Sequence, residues 1–290
     1  MKRSLQILIA AMCIGGSGAA FATDYTFNVT SGDWGNQNNW NPQFVPSSGD
    51  TATIPNGRTC NVANANQTCG KVTVDSGGTL KVTARDLTIS SSGPSGARLV
   101  INGDLKLEKS GSTLGRLLFS GFDVEVTGSG TISALADNGG GGAIVGDTTY
   151  LLKVGSGFPI VGSIVFLVGV ENNGNILVND ANDQLDFGDM QTGTRYTLRG
   201  AGIIEAAAGT IRFGRVQFKG DRPALSLAVT GGEMRLTTYG YYVDTWNTFY
   251  VFGGTLALEK ALTSKGGLDF EGGQIVVSGD AVAVFEYLEE

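Results

Sequence analysis

Gly209-Thr210-Ile211-Arg212-Phe213, Gly231-Gly232-Glu233-Met234-Arg235-Leu236, Gly253-Gly254-Thr255-Leu256-Ala257-Leu258 and Gly272-Gly273-Gln274-Ile275-Val276-Val277 are four versions of one phrase. Each is a glycine turn followed by a short strand in which alternate residues are apolar. Alternation of this kind puts one side of a strand in a core and the other in water. Counted from the glycine before each strand, Gly209 to Gly232 is 23 residues, Gly232 to Gly254 is 22 and Gly254 to Gly273 is 19. A period near twenty is about one coil of a β-helix. An earlier copy is Gly77-Gly78-Thr79-Leu80-Lys81-Val82, and looser ones are Gly130-Thr131-Ile132 and Gly174-Asn175-Ile176-Leu177-Val178.

Composition points the same way. Glycine makes up 45 of the 290 residues, about twice its usual share. Only six prolines are present, as suits many turns between strands that need every backbone donor. The expected fold is all-β: a right-handed parallel β-helix, or β-solenoid, over residues 71–290, with an N-terminal cap segment over 23–70. A β-sandwich or jelly roll is the alternative. Phe158 to Val170, the most apolar run after the leader, reads as two buried strands, and helix is expected at most as one turn near Glu205-Ala206-Ala207-Ala208.

The chain opens on Lys2 and Arg3, continues through an apolar run from Leu5 to Ile14 and reaches Ala20-Phe21-Ala22. This is the layout of a secretory signal peptide, residues 1–22, so a secreted, extracellular or cell-surface location is expected, with the periplasm as an alternative. Losing Lys2 and Arg3 with the leader takes the formal charge from −7 to −9. So acidic a chain is a poor partner for nucleic acid, which is held by basic side chains on phosphates. Histidine is absent, which excludes Ser-His-Asp and Cys-His nucleophiles and imidazole zinc sites. The leader also carries Cys13 away, and the remaining pair, Cys60 and Cys69, is expected to form a disulfide in an exported protein.

The segment from Tyr25 to Gly57 is rich in Asn, Gly and Trp and reads as a cap with two buried anchors, Trp34 and Trp40, closing the solenoid end. The string Trp34…Asn39-Trp40…Val45-Pro46…Gly49-Asp50-Thr51-Ala52-Thr53-Ile54-Pro55…Gly57, leading into Gly77-Gly78-Thr79-Leu80-Lys81-Val82, resembles the opening of bacterial secreted β-helical surface proteins of the autotransporter-passenger or adhesin kind. It is also similar to the G8 type of extracellular module. The resemblance implies an extracellular binding or structural role. It ends before any membrane barrel, because the sequence stops at Leu288-Glu289-Glu290; a freely released protein or an isolated passenger-like unit is expected.

Three groups are candidate sites. Seven rings fall within fourteen residues at Tyr239, Tyr241, Tyr242, Trp246, Phe249, Tyr250 and Phe252. Neighbouring strand residues face opposite ways, so some of these rings point outward, unless the segment is a loop. Exposed Tyr and Trp, here Tyr239, Tyr241, Tyr242 and Trp246, suit stacking on sugar rings; the other reading is an aromatic ladder in the core or a plug over one end. A basic group of Arg195, Arg199, Arg212, Arg215, Lys219 and Arg222 offers guanidinium forks, Arg212 and Arg215 in particular, for an acidic glycan if the coils bring them to one face. Solvated strand faces are the alternative. Finally Asp180, Asp183, Asp186 and Asp189 supply oxygens of the kind calcium takes, although the spacing is not an EF-hand and a polar turn explains it too. No other cofactor is expected.

These readings converge on an adhesin-like or structural surface protein, non-catalytic, that binds an extracellular polysaccharide or a neighbouring surface protein. A β-helical polysaccharide lyase or glycoside hydrolase, which needs carboxylates, Lys or Arg and no histidine, is the first alternative. A matrix or filament subunit is the second. End-to-end self-association is expected at the C-terminal end, where Val282-Ala283-Val284-Phe285 follows the last glycine phrase with no obvious polar cap.

Overall fold

The computed structural model describes residues 22–96, 98–119, 121–134, 141–188, 195–219, 225–237, 247–285 and, as backbone only, 242–245 and 288–289. The chain is an all-β parallel β-solenoid of about ten coils. Each coil contributes one short strand to each of three stacks. Sheet A has ten strands, sheet B twelve and sheet C ten, and in the last coils a three-stranded sheet (Tyr242–Thr245, Leu262–Ser264, Ala283–Phe285) follows sheet A. The second full coil shows the pattern: Lys71–Val74 in A, Thr79–Thr83 in B and Asp86–Ile89 in C. Apart from the 3-10 turn Gln37–Asn39, no helix occurs among the described residues. Glu205 and Ala206, near which at most one helical turn was allowed for, end a strand, Ile203–Ala206.

Strand length is nearly constant while coil length is not. Along sheet B the register runs Leu105 to Ile132, Ile132 to Ile160, Ile160 to Ile176 and Ile176 to Ile204, so successive coils take 27, 28, 16 and 28 residues. The extra residues go into corners, because inserting them in a strand would flip the side chains beyond to the wrong face. The shortest coil contains the apolar run 158–170. It holds three strands where two were expected, Pro159–Gly162, Ile164–Leu167 and the start of Gly169–Asn172, joined by the single corner residues Ser163 and Val168.

Glycine fills the inner corners because coil stacks on coil. A Cβ on Gly103 would collide with Gly78 O, one on Gly130 with Gly103 O, and one on Gly202 with Gly174 O. That column lies between sheets A and B. The phrases at Gly209, Gly232, Gly254 and Gly273 form another column, between sheets B and C. The seven glycine phrases are thus two sets from different corners.

Inward positions stack by type. On sheet B the column Leu80, Leu105, Ile132, Ile160, Ile176, Ile204, Leu227 and Phe249 is fully buried. On sheet C, Phe166, Phe187 and Phe213 stack with ring centroids 4.9 and 5.2 Å apart and planes nearly parallel. The N-terminal end is sealed by Trp34 and Trp40, both buried and packed edge to face at 4.9 Å. Trp40 Nε1 donates to Trp34 O at 2.8 Å. Antiparallel pairing of Trp40–Asn41 with Asp24–Phe27 closes the edge of sheet A.

The structure corrects one expectation here. Cys60 and Cys69 are free thiols, both buried. They occupy inward positions of different sheets, Cys60 beside Leu80 in B and Cys69 beside Ile89 in C, so each serves as a small core residue. Cys69 Sγ lies 3.2 Å from Asp50 O and 3.0 Å from Lys71 O. Burial, partly offset by hydrogen bonds to the backbone, pushes its pKa up to about 12, and burial raises that of Cys60 as well.

Candidate functional site

The acidic and basic groups of the sequence meet on sheet C. Asp186, on strand Gln184–Phe187, faces Arg212, on strand Thr210–Phe213, one coil further on. Arg212 Nε donates to Asp186 Oδ1 at 2.7 Å and Nη2 to Oδ2 at 2.6 Å, and Gln184 Nε2 adds a bond to Oδ2 at 3.1 Å. The bidentate pair raises the Arg212 pKa, the hydrogen bond to Asp186 outweighing the opposing effect of burial. On sheet A, Arg199 pairs with Glu171, its Nε and Nη2 both donating to Oε2. The basic run is therefore divided between two faces. Arg215 follows strand Thr210–Phe213 at a corner, half-buried, its carbonyl accepting from Tyr196 N at 2.9 Å.

The other acidic candidates have local work. Asp180 accepts from Asn182 N at 2.9 Å and from Asn182 Nδ2 at 3.1 Å, closing its own turn. Asp183, nearly fully buried, accepts from Ser163 Oγ at 2.9 Å, and Ser163 Oγ accepts in turn from Gln184 N at 2.9 Å. Ser163 is the one-residue corner of the shortest coil, which is why its hydroxyl reaches the next coil's turn. No group of three or more metal-ligating side chains occurs among the described residues. Asp189 lies outside them. The groove beside this corner has a volume of about 290 Å³ and is lined by Gly142, Ser163, Val165, Asn182, Gln184 and Asp186, among others.

Of the aromatic stretch, Tyr239, Tyr241 and Trp246 lie outside the described residues. Tyr242 begins strand Tyr242–Thr245, described as backbone only. Its described remainder divides as a strand must. Phe249 points inward, fully buried, with its ring edge to face with Phe285 at 5.9 Å. Tyr250, on the same strand, and Phe252, just beyond it, lie on the outer side; Tyr250 is half-buried, Phe252 is 42% exposed, and the two ring centroids are 5.9 Å apart, tilted by 32°. Tyr250 stands on sheet B between Ala228 of the preceding coil and Asp269 of the next.

The outward column of sheet B escaped notice in the sequence, although alternation marks every member. It runs Ser133, Val161, Leu177, Glu205, Ala228, Tyr250 through six coils. This face, carrying half-buried Tyr250 beside exposed Phe252, is the candidate binding surface of a parallel β-solenoid. No family model, curated protein or solved structure matches the chain.

Proposed function

We propose that the protein is an exported, non-catalytic binding solenoid of the cell surface or its surroundings, adhesin-like or structural, whose ligand is a glycan. The observation that carries this reading is the outward ring pair Tyr250 and Phe252 on a rigid sheet. Aromatic rings offer flat apolar area at low entropy cost, and the Tyr hydroxyl hydrogen-bonds the sugar edge. Residues 1–22, with the layout of a leader, support export.

The test is a glycan array probed with protein lacking residues 1–22, with reducing-sugar and unsaturated-uronate assays on every glycan bound. Tyr250→Ala and Phe252→Ala are each expected to weaken binding about tenfold, or about 1.4 kcal/mol, with an unchanged β-sheet circular dichroism spectrum. Turnover of a bound glycan favours the lyase or hydrolase reading, and a blank array removes the glycan reading.

We also propose end-to-end association at the C-terminal end. Phe270 and Val277 stand in register with buried Val251 and Leu258, yet are 42% and 47% exposed. Partners there would cover inward-facing apolar side chains and strand edges that pair on one side only.

A further inference from the structure

Charge is distributed unevenly over the three faces. On sheet A the outward column reads Glu125, Lys153, Glu171, Arg199, alternating in sign coil by coil. Sheet C pairs Asp86 with Arg116 and Asp186 with Arg212, and Arg235 with Glu233 and Glu259. Sheet B differs through its middle six coils. Its outward positions there are Ser133, Val161, Leu177, Glu205, Ala228 and Tyr250 in one column, of which the small Ala228 is covered by its neighbours, flanked by Asn175, Ile203, Ser226 and Thr248 in the next. The single charge, Glu205, accepts from Thr230 Oγ1 at 2.7 Å. Charged side chains return only beyond the patch, at Lys106 on one side and Asp269 on the other.

Building on the glycan reading, we infer that the ligand is an uncharged, extended polysaccharide lying along the outer face of sheet B. Coils about 4.8 Å apart make this strip, whose one charge is Glu205, roughly 24 Å long, long enough for several sugar rings in line. The strip mixes short hydroxyl and amide groups with Val161, Leu177 and Ile203, the last 43% exposed. A pyranose chain presents the complementary mixture of weakly apolar ring faces and hydroxyl edges. A protein partner is a poorer fit, since interface centres favour large aromatics, Met and Arg, and the strip carries one ring, Tyr250, beside Phe252 at its end. An acidic polymer is a poorer fit still: the described ion pairs already occupy Arg116, Arg199, Arg212 and Arg235, and the chain is net acidic.

The experiment compares neutral polysaccharides with polygalacturonate on the same array and follows the tightest binder by titration calorimetry. The expected result is a neutral binder whose affinity changes less than twofold between about 50 and 500 mM NaCl, because no ionic contact is screened. Leu177→Asp and Ile203→Ser, the second adding no charge, should each weaken it about tenfold or more. Glu125→Gln on sheet A should leave it unchanged. A binder that is acidic and lost in salt, or a neutral binder indifferent to both sheet B substitutions, overturns this inference while leaving the glycan reading standing. If no glycan binds, both fall together.

Discussion

Replacing Gly232 by alanine tests the stacked-coil geometry at a single atom. Neither Gly232 nor Gly49 has a positive φ, so alanine suits the local backbone at both, and only the surroundings differ. A Cβ at Gly232 would stand 2.6 Å from Gly209 O and 2.7 Å from Ala208 C and O, all backbone atoms of the preceding coil. At Gly49 it would meet nothing within 4 Å. Relief at Gly232 requires the coils to separate locally. Three backbone bonds resist: Gly232 N to Ala206 O at 3.1 Å, Glu233 N to Gly209 O at 2.9 Å and Thr255 N to Gly232 O at 2.9 Å. Forcing a methyl into a packed site costs about 1–3 kcal/mol, and a buried group left without its bond costs about 1–3 kcal/mol more. We expect Gly232→Ala to destabilise by about 2–4 kcal/mol from these two effects, which overlap. Gly49→Ala, which only narrows the unfolded ensemble, should stabilise by about 0.4–1 kcal/mol. Urea unfolding followed by circular dichroism measures both, with amide exchange at Glu233 and Thr255 reporting local opening, since coils in a solenoid can loosen individually. If the two variants lie within about 0.5 kcal/mol of each other, an ordinary surface difference, the glycine column is not the close contact described.

Intact-mass analysis of the leaderless protein is expected to show both thiols reduced and no iodoacetamide adduct at Cys60 or Cys69 until denaturant is added, because the thiolate is the nucleophile and burial disfavours it; rapid native labelling of either would contradict the core positions. In acid, Asp123 is the group to follow. Burial raises its pKa, but the bonds from Lys153 Nζ, at 2.7 Å, and Leu151 N, at 2.9 Å, outweigh this and hold it below the ordinary carboxylate range. A pKa depressed in the folded state adds stability above the unfolded value, about 3.9, and that stability is lost as pH falls through the folded value. The stability gap between wild type and Asp123→Asn should therefore be full near pH 6 and close below the ordinary carboxylate range; a gap constant down to the lowest pH would refute the assignment. For the C-terminal end, light scattering over a concentration series should show association that Val277→Glu abolishes, and a strict monomer at every concentration argues against it.

The C-terminal glycine phrases were legible because corners there are short and nearly constant. From Thr210 through Glu233 and Thr255 to Gln274 the ladder advances by 23, 22 and 19 residues, the same intervals the glycines show. Earlier coils blur the period. Among corners whose residues are all described, lengths run from the single residue Ser163 to the six residues between Glu108 and Gly115, and sequence has no way to weigh a corner's length against a strand's. The disulfide misled for a related reason. Cys60 and Cys69 are nine residues apart, which suggests one loop, but a corner between them turns the chain from sheet B to sheet C and puts each on an inward position.

Charge pairing was hidden for a deeper reason, and it bears directly on where a ligand can sit. Read along the chain, residues 180–189 form an acidic tract and 195–222 a basic one. Read across coils, Asp186 and Arg212 are 26 residues and one rung apart, and Glu171 and Arg199 are 28 residues and one rung apart. A solenoid turns separation by one coil into contact, so residues of opposite sign in successive coils, Asp186 with Arg212 and Glu171 with Arg199, neutralise each other. The same operation gathers residues that look unrelated, Val161, Leu177, Ile203 and Tyr250, onto one strip whose single charge is Glu205. Binding by that strip must depend on shape and hydroxyl contacts, which salt does not screen, and its salt response is therefore the property that separates it most sharply from a surface of arginines.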